Sequence, residues 1–424
     1  MQPDEGASTV TTSIDKGPEP RPVSAPDGAA TPTPVSERAI APDLARGMML
    51  LLIALAHTPW FLFTSEIGVT LMHPADGSLA DRIAQAFTIV VVDTRTHTMF
   101  GFLFAYGIWQ LFSRQVAKGL SVKDARRLLR TRHWCLLAFG LVHAALLWQG
   151  DILGTYGLIG LIMVPLFFNR SDRTLKIWIC IFLGVGLVFA VGSFLALQVL
   201  PAMPAVPNSQ QPILAETDYV AALTMRVAAW FPGLLSGVAS LALPTAFLFG
   251  LLAARHRVLE EPGKHLPLLR TAAFGGIAIA WSAGVVQVFA HFGMLEVPNP
   301  AGFGSVHFFT GIFGGVGYAA AFGLIAHRVQ TRGSGLRLPG RALLALGRRS
   351  LSGYLAQSLL FVPLLAAWGL GLGAHLSSWS AMAVAIGAWM LTLAVAYLLD
   401  RRNIRGPAEV VLRKLSYRTL RKRT

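Results

Sequence analysis

Apolar residues recur along this chain in unbroken runs separated by short polar connections. The runs approach twenty residues, the length an α-helix needs to cross a hydrocarbon core about 30 Å thick. They fall at residues 44–64, 94–113, 131–149, 152–169, 174–200, 233–254, 268–290, 304–327, 350–370 and 378–399. This pattern predicts an all-α, polytopic membrane protein of about ten transmembrane helices. Two further stretches, 81–92 (DRIAQAFTIVVV) and 218–232 (DYVAALTMRVAAWFP), are too short to cross and are expected along the interface, ahead of the second and sixth helices. Residues 1–40 are rich in Pro, Ser, Thr, Ala and Gly and read as a disordered tail. The division is then a tail over 1–40, a ten-helix domain over 41–405 and a basic tail over 406–424.

Composition agrees, with 54% apolar and 13% charged residues. A net charge of +15 raises the question of nucleic acid. The cations, however, sit in short clusters between apolar runs, without the basic groove interleaved with aromatics that single-strand binders use, so no nucleic-acid partner is expected. The clusters alternate instead. Arg114, Lys118, Arg126, Arg127, Arg130 and Arg132 follow the second run, and later even-numbered connections are also basic, whereas odd ones carry Glu66, Asp76, Asp81, Asp151, Glu216 and Glu296. By the positive-inside rule both termini are cytoplasmic. Cys135 and Cys180 lie in apolar runs and suggest no disulfide framework.

Ionisable groups inside a bilayer are costly, and each is a candidate for function or for a paired structural role. Asp43 and Arg46 share the first turn of the first helix, as N-cap and snorkelling cation. His57, eleven residues after Arg46, returns to the same face about 16 Å further in; it is either a site residue or a core histidine bonded to a carbonyl. Asp93 and His97 are four apart on the second helix, a spacing that suits either a tuned imidazole or a solvated pair. In GLVHAALLWQGDILGTYGLIGL, Asp151 stands where the fourth helix needs an N-cap, and His143 lies about 10 Å below it. Tyr156 adds a hydrogen-bonding group nearby, His307 lies among glycines, and Tyr354 and Gln357 suit interhelical hydrogen bonds. His57, His97 and His143 all fall in outer halves of their helices, so one polar pocket facing outward is expected. No metal-ligand spacing, nucleophile elbow or phosphate loop occurs, and neither a metal nor a bound cofactor is expected.

Several stretches carry a resemblance. DLARG opening the first helix, MFGFLFAYG on the second, the His143–Asp151 elbow, GRRSLSGYLAQS on the ninth and RGPAEVVLRKLSY after the last resemble the YeiB-like family of bacterial membrane proteins, a domain family of unknown function. The resemblance runs from about residue 38 to the end and implies a multi-pass protein of the bacterial cytoplasmic membrane, surrounded by lipid. That family is in turn similar to the transmembrane acyltransferases, which move an acyl group from cytoplasmic acyl-CoA to an extracytoplasmic acceptor. In their sugar O-acetylating branch a basic residue precedes a catalytic histidine by the spacing of Arg46 and His57, and an Arg-x-x-Arg precedes the third helix, as Arg127 and Arg130 do here. The resemblance implies Arg46, Arg127 and Arg130 at acyl-CoA, His57 as general base, and His143 or Asp151 orienting the acceptor.

Three functions stay open on these grounds: acyl transfer with acyl-CoA as co-substrate, a small-solute transporter using the imidazoles and carboxylates, and a non-catalytic membrane assembly protein.

Overall fold

Each expected span is helical in the computed structural model, which describes residues 39–70, 72–199, 210–333 and 335–421. Most of the tail expected over 1–40 lies outside the described residues. Fifteen α-helices follow in order among them: α1 Ile40–His57, α2 Leu79–Phe87, α3 Arg95–Ala117, α4 Val122–Leu146, α5 Leu153–Phe167, α6 Asp172–Val199, α7 Gln210–Ala215, α8 Tyr219–Ala239, α9 Ala242–Arg255, α10 Leu266–His291, α11 Phe303–Arg332, α12 Leu338–Arg348, α13 Ser350–Leu365, α14 Ser378–Arg401 and α15 Pro407–Arg421. No strand is present among the described residues, only one isolated bridge between Ile67 and Pro74. The protein is all-α and polytopic.

Among the described residues six segments are long and apolar enough to cross a membrane on their own: Ile40–Phe61, Asp172–Val199, Tyr219–Ala239, Pro262–His291, Pro300–Arg332 and Ser378–Arg401. Three apolar helices, α5, α9 and α13, are shorter. The expected sixth span, 233–254, is two helices rather than one, with Leu241 in the left-handed region at φ 57° between them. Pro244 explains the break: it has no N–H for the carbonyl of Ser240, and its ring would collide with that carbonyl in a continuous helix. The stretch 218–232, expected along the interface, belongs to the 21-residue α8. Its Tyr219 hydroxyl and Arg226 guanidinium bond the carbonyls of Leu146 and Ala145 at the end of α4.

Besides the six-residue α7, two helices went unread in the sequence because charges interrupt their apolar rows. α12 packs across α1 through glycines, and a Cβ at Gly347 would collide with the carbonyl of Asp43. The segment read as a basic tail is α15, which packs on α4 with Leu412 and Ser416 buried. Glu409 fixes its start by accepting the amides of Leu351 (2.8 Å) and Ser352 (3.1 Å) at the beginning of α13. These two anchors bring α1, α4, α12, α13 and α15 together at the arginine-rich end of the bundle.

Candidate functional site

The polar elbow between α4 and α5 is built around Asp151. Its carboxylate accepts the amides of Leu153 (3.1 Å) and Gly154 (2.6 Å) in the first turn of α5, one residue before the N-cap, which is Ile152 rather than the expected Asp151. His143, on the last turns of α4, brings Nδ1 within 3.1 Å of Asp151 Oδ1, and both side chains are almost wholly out of solvent. The contact has ion-pair distance, although its geometry falls short of a hydrogen bond. Small residues allow this approach: a Cβ at Gly140 would collide with the amide of Gly154 and the carboxylate of Asp151. Neither His143 Nε2 nor Trp148 Nε1 has a hydrogen-bond partner among the described residues.

Around this pair the structure gathers aromatic rings and a second imidazole. The His143 ring lies 5.1 Å from that of Tyr354, whose hydroxyl accepts the Ile152 amide at 3.5 Å. His57, partly exposed at the end of α1, meets the edge of Trp148 at 4.2 Å and lies within electrostatic reach of His143. His57, His143 and Asp151 thus lie around one elbow, with Trp148 against His57 and Tyr354 against His143.

The other outward histidines go elsewhere. His97 stacks on Phe308 at 5.2 Å, and its carbonyl accepts the Tyr156 hydroxyl at 2.6 Å. Asp93 does not share a helix face with His97. The backbone is extended at Asp93 and turns left-handed at Thr94 (φ 61°) before α3 begins, so the four-residue spacing is not helical. Asp93 instead pairs with His73 of the preceding loop at 2.8 Å, and His73 faces His291 at 5.9 Å between ring centres. His307 bonds Arg95, a fully buried arginine that also donates to the carbonyls of Ile89 and Ala280. Sequence reasoning missed Arg95, His73 and His291. Arg95 was visible as a lone cation beside an apolar run, while the other two lie more than two hundred residues apart and gave no signal. Gln357 links α13 to Thr392 of α14 at 3.4 Å.

A cavity of about 350 Å³ opens at the arginine-rich end and reaches inward to Tyr156 and Tyr354. Seven arginines and three carboxylates line it among the described residues, and Phe100, Leu103, Phe104 and Leu136 form an apolar middle. Arg46 is held there by Asp43 at 2.9 Å and by the carbonyl of Leu103 at 3.3 Å. Asp43, Arg348, Asp400 and Arg349 continue an alternating chain of charge, ending in an Arg349–Asp400 pair at 2.8 Å. Arg127 and Arg130 do not line the cavity; Arg132 does. At 100° per residue Arg132 lies nearly opposite Arg130 on α4, which accounts for the exchange. Ala39 and Tyr417, near the two described ends of the chain, both border this mouth. Tyr354 is therefore a wall shared by the cavity and the His143–Asp151 elbow.

The segment 253–419, which supplies α10 to α15 and with them Tyr354, Arg348 and Glu409, matches a family described as "Protein of unknown function (DUF418)". Over 405 residues the chain is 26% identical to protein YxaH of Bacillus subtilis (strain 168), covering 91% of this chain and 96% of the relative. Over 406 residues it is 24% identical to protein YeiB of Escherichia coli (strain K12), covering 90% and 97%. The chain thus carries a DUF418 segment over 253–419 and is similar along most of its length to YeiB and YxaH. A shorter stretch of 169 residues is 29% identical to a 39.9 kDa protein of Bacillus acidopullulyticus. The two long alignments take in both halves of this YeiB-like site, the elbow on α4 and α5 as well as the arginine-lined mouth.

Proposed function

We propose that this chain is a transmembrane acyltransferase of the bacterial cytoplasmic membrane, taking an acyl group from cytoplasmic acyl-CoA to an acceptor on the far side. The observation that carries the reading is the cavity that begins among arginines and ends at Tyr354, the residue packed against His143. Its cationic excess suits a ligand with several phosphates, which arginine holds through paired, charge-assisted hydrogen bonds. Its apolar middle suits a pantetheine arm and a short acyl group, with the nucleotide left at the mouth.

In this reading an acceptor hydroxyl attacks the thioester carbonyl, and its proton passes to Nε2 of His143, the nitrogen turned away from Asp151. Asp151, 3.1 Å from the other ring nitrogen, stabilises the imidazolium by its charge. The carbon–sulfur bond breaks, the thiolate takes the proton back from the imidazolium, and the products are an acyl ester and the free thiol. His57, packed against Trp148, flanks the acceptor. The Arg46–His57 spacing shared with the sugar O-acetylating enzymes supports acyl transfer as the activity, although in those enzymes that spacing puts the catalytic histidine at the position of His57 rather than His143.

The test is incorporation of radiolabelled acetyl from acetyl-CoA into cell-envelope material by inside-out vesicles enriched in the chain. Incorporation above that of vesicles lacking the chain, falling at least tenfold in His143→Gln, is expected. Incorporation equal to the empty vesicles, or unchanged by both His143→Gln and His57→Gln, would overturn the proposal.

A further inference from the structure

Helix α2 reverses the usual arrangement of an amphipathic helix on a protein surface: its polar side faces inward and its apolar side faces out. The inward side is fixed by hydrogen bonds. Asp81 closes a capping box with Ser78 and also accepts the amide of Trp379 at 3.0 Å, at the start of α14. Gln85, fully buried, donates to the carbonyl of Pro74 (3.3 Å) and to the Ser378 hydroxyl (3.0 Å). On the outward side Leu79, Ile83 and Phe87 recur every four residues and form one row along the helix, with 76%, 62% and 45% of their surface exposed. In water such a row would be an uncompensated cost.

We propose that α2 lies flat in the boundary between headgroups and acyl chains, in the leaflet at the end of the bundle away from the arginines, and that the partner of its apolar row is the bilayer. Three observations favour lipid over a protein. The row adjoins the start of α14, where Trp379 is half exposed, and α14 is an apolar membrane-length helix with only 17% of its hydrophobic window buried; the lipid-facing surface is thus continuous with α2. Tryptophan is enriched at that depth. A nine-residue helix is about 13 Å long, and a single row on it falls far short of the roughly 800 Å² per partner that a stable protein interface takes. Finally, exposed Arg82 stands beside the row with its guanidinium 5.8 Å from the Phe292 ring, the position of a cation reaching for headgroup phosphates. The inference is independent of the acyltransferase reading.

Two measurements test it. In nanodiscs, the unmodified chain is exposed to a carbene reagent that partitions into acyl chains; the peptide containing residues 79–87 is expected to carry label, and an unlabelled peptide overturns the proposal. In a Cys135→Ala, Cys180→Ala background, Ile83→Cys carrying a bimane probe is expected to lose most of its fluorescence in lipids brominated on the acyl chain and little in aqueous iodide. The opposite pattern, or disulfide cross-linking between two copies through residue 83, contradicts it.

Discussion

Two buried polar groups lie near the same end of this bundle and solve the cost of burial differently. Around Arg95 both terminal guanidinium nitrogens are engaged, with the carbonyls of Ile89 and Ala280 and with His307, so the cation ties the turn before α3 to α10 and α11. Around the elbow, Asp151 is satisfied by the amides of α5, whereas His143 keeps Nε2 without a partner beside a cavity wall. A buried polar atom left unpaired costs about 1–3 kcal/mol; Arg95 leaves only Nε unpaired, whereas neither ring nitrogen of His143 has a hydrogen bond among the described residues. The arginine knot is thus fastened to three partners, whereas the His143 imidazole is held by one carboxylate contact, which leaves it the freer group for the proposed chemistry.

The comparison can be broken first at the knot. Arg95→Ala leaves the carbonyls of Ile89 and Ala280 and the His307 ring without their donor. At about 1–3 kcal/mol for each orphaned group, it is expected to destabilise the fold severely, lowering the thermal midpoint in nanodiscs and losing function only with the fold. An unchanged midpoint would remove the architectural reading. Gly140→Ala comes next. Its methyl group has no room beside the Gly154 amide, and the forced separation of α4 from α5 is expected to cost about 1–3 kcal/mol in the same melt.

Asp151→Asn sharpens the contrast from the other side. An asparagine can still cap α5, so stability is expected to change by less than about 1 kcal/mol, while acetyl incorporation falls far more than that shift explains. Equal losses of stability and activity would return Asp151 to a purely capping role. The smallest effect concerns α2. Burial opposes the charge on Asp81, but hydrogen bonds from Ser78 and the Trp379 amide outweigh it and hold the carboxyl below its ordinary range. A carboxyl lowered in the folded state stabilises fully above its ordinary pKa of about 4, and that contribution fades as pH falls through the lowered value. Iodide access to a probe at residue 83 is therefore expected to rise only below about pH 4, and Asp81→Asn is expected to abolish that pH dependence.

Much of this architecture was legible because a bilayer demands long apolar runs. Nine of the ten expected spans fall largely on one helix each, and the role of Asp151 at the start of α5 followed from an aspartate placed at a helix start after a glycine. Three features were not legible. The break at Ser240 and Leu241 hides inside an apolar run and depends on the stereochemistry of Pro244. The pairing of Asp93 with His73 requires knowing that the helix stops at Asp93, which no periodicity reports. In the basic run before the third span, the choice of Arg132 over Arg127 and Arg130 depends on which face of α4 meets α15, and α15 itself read as a tail. Local rules located the costly residues; tertiary packing decided which of them meet.

That choice of arginine also offers the sharpest test. Coenzyme A is titrated onto the purified chain in nanodiscs by calorimetry, with Arg132→Ala, Arg348→Ala and Arg130→Ala measured alongside. If the arginine-lined cavity receives the donor, the first two weaken binding by roughly tenfold or more, as expected for losing a charge-assisted hydrogen bond, and Arg130→Ala binds like the parent. No detectable binding, or a loss at Arg130 equal to that at Arg132 and Arg348, would contradict the assignment of this cavity.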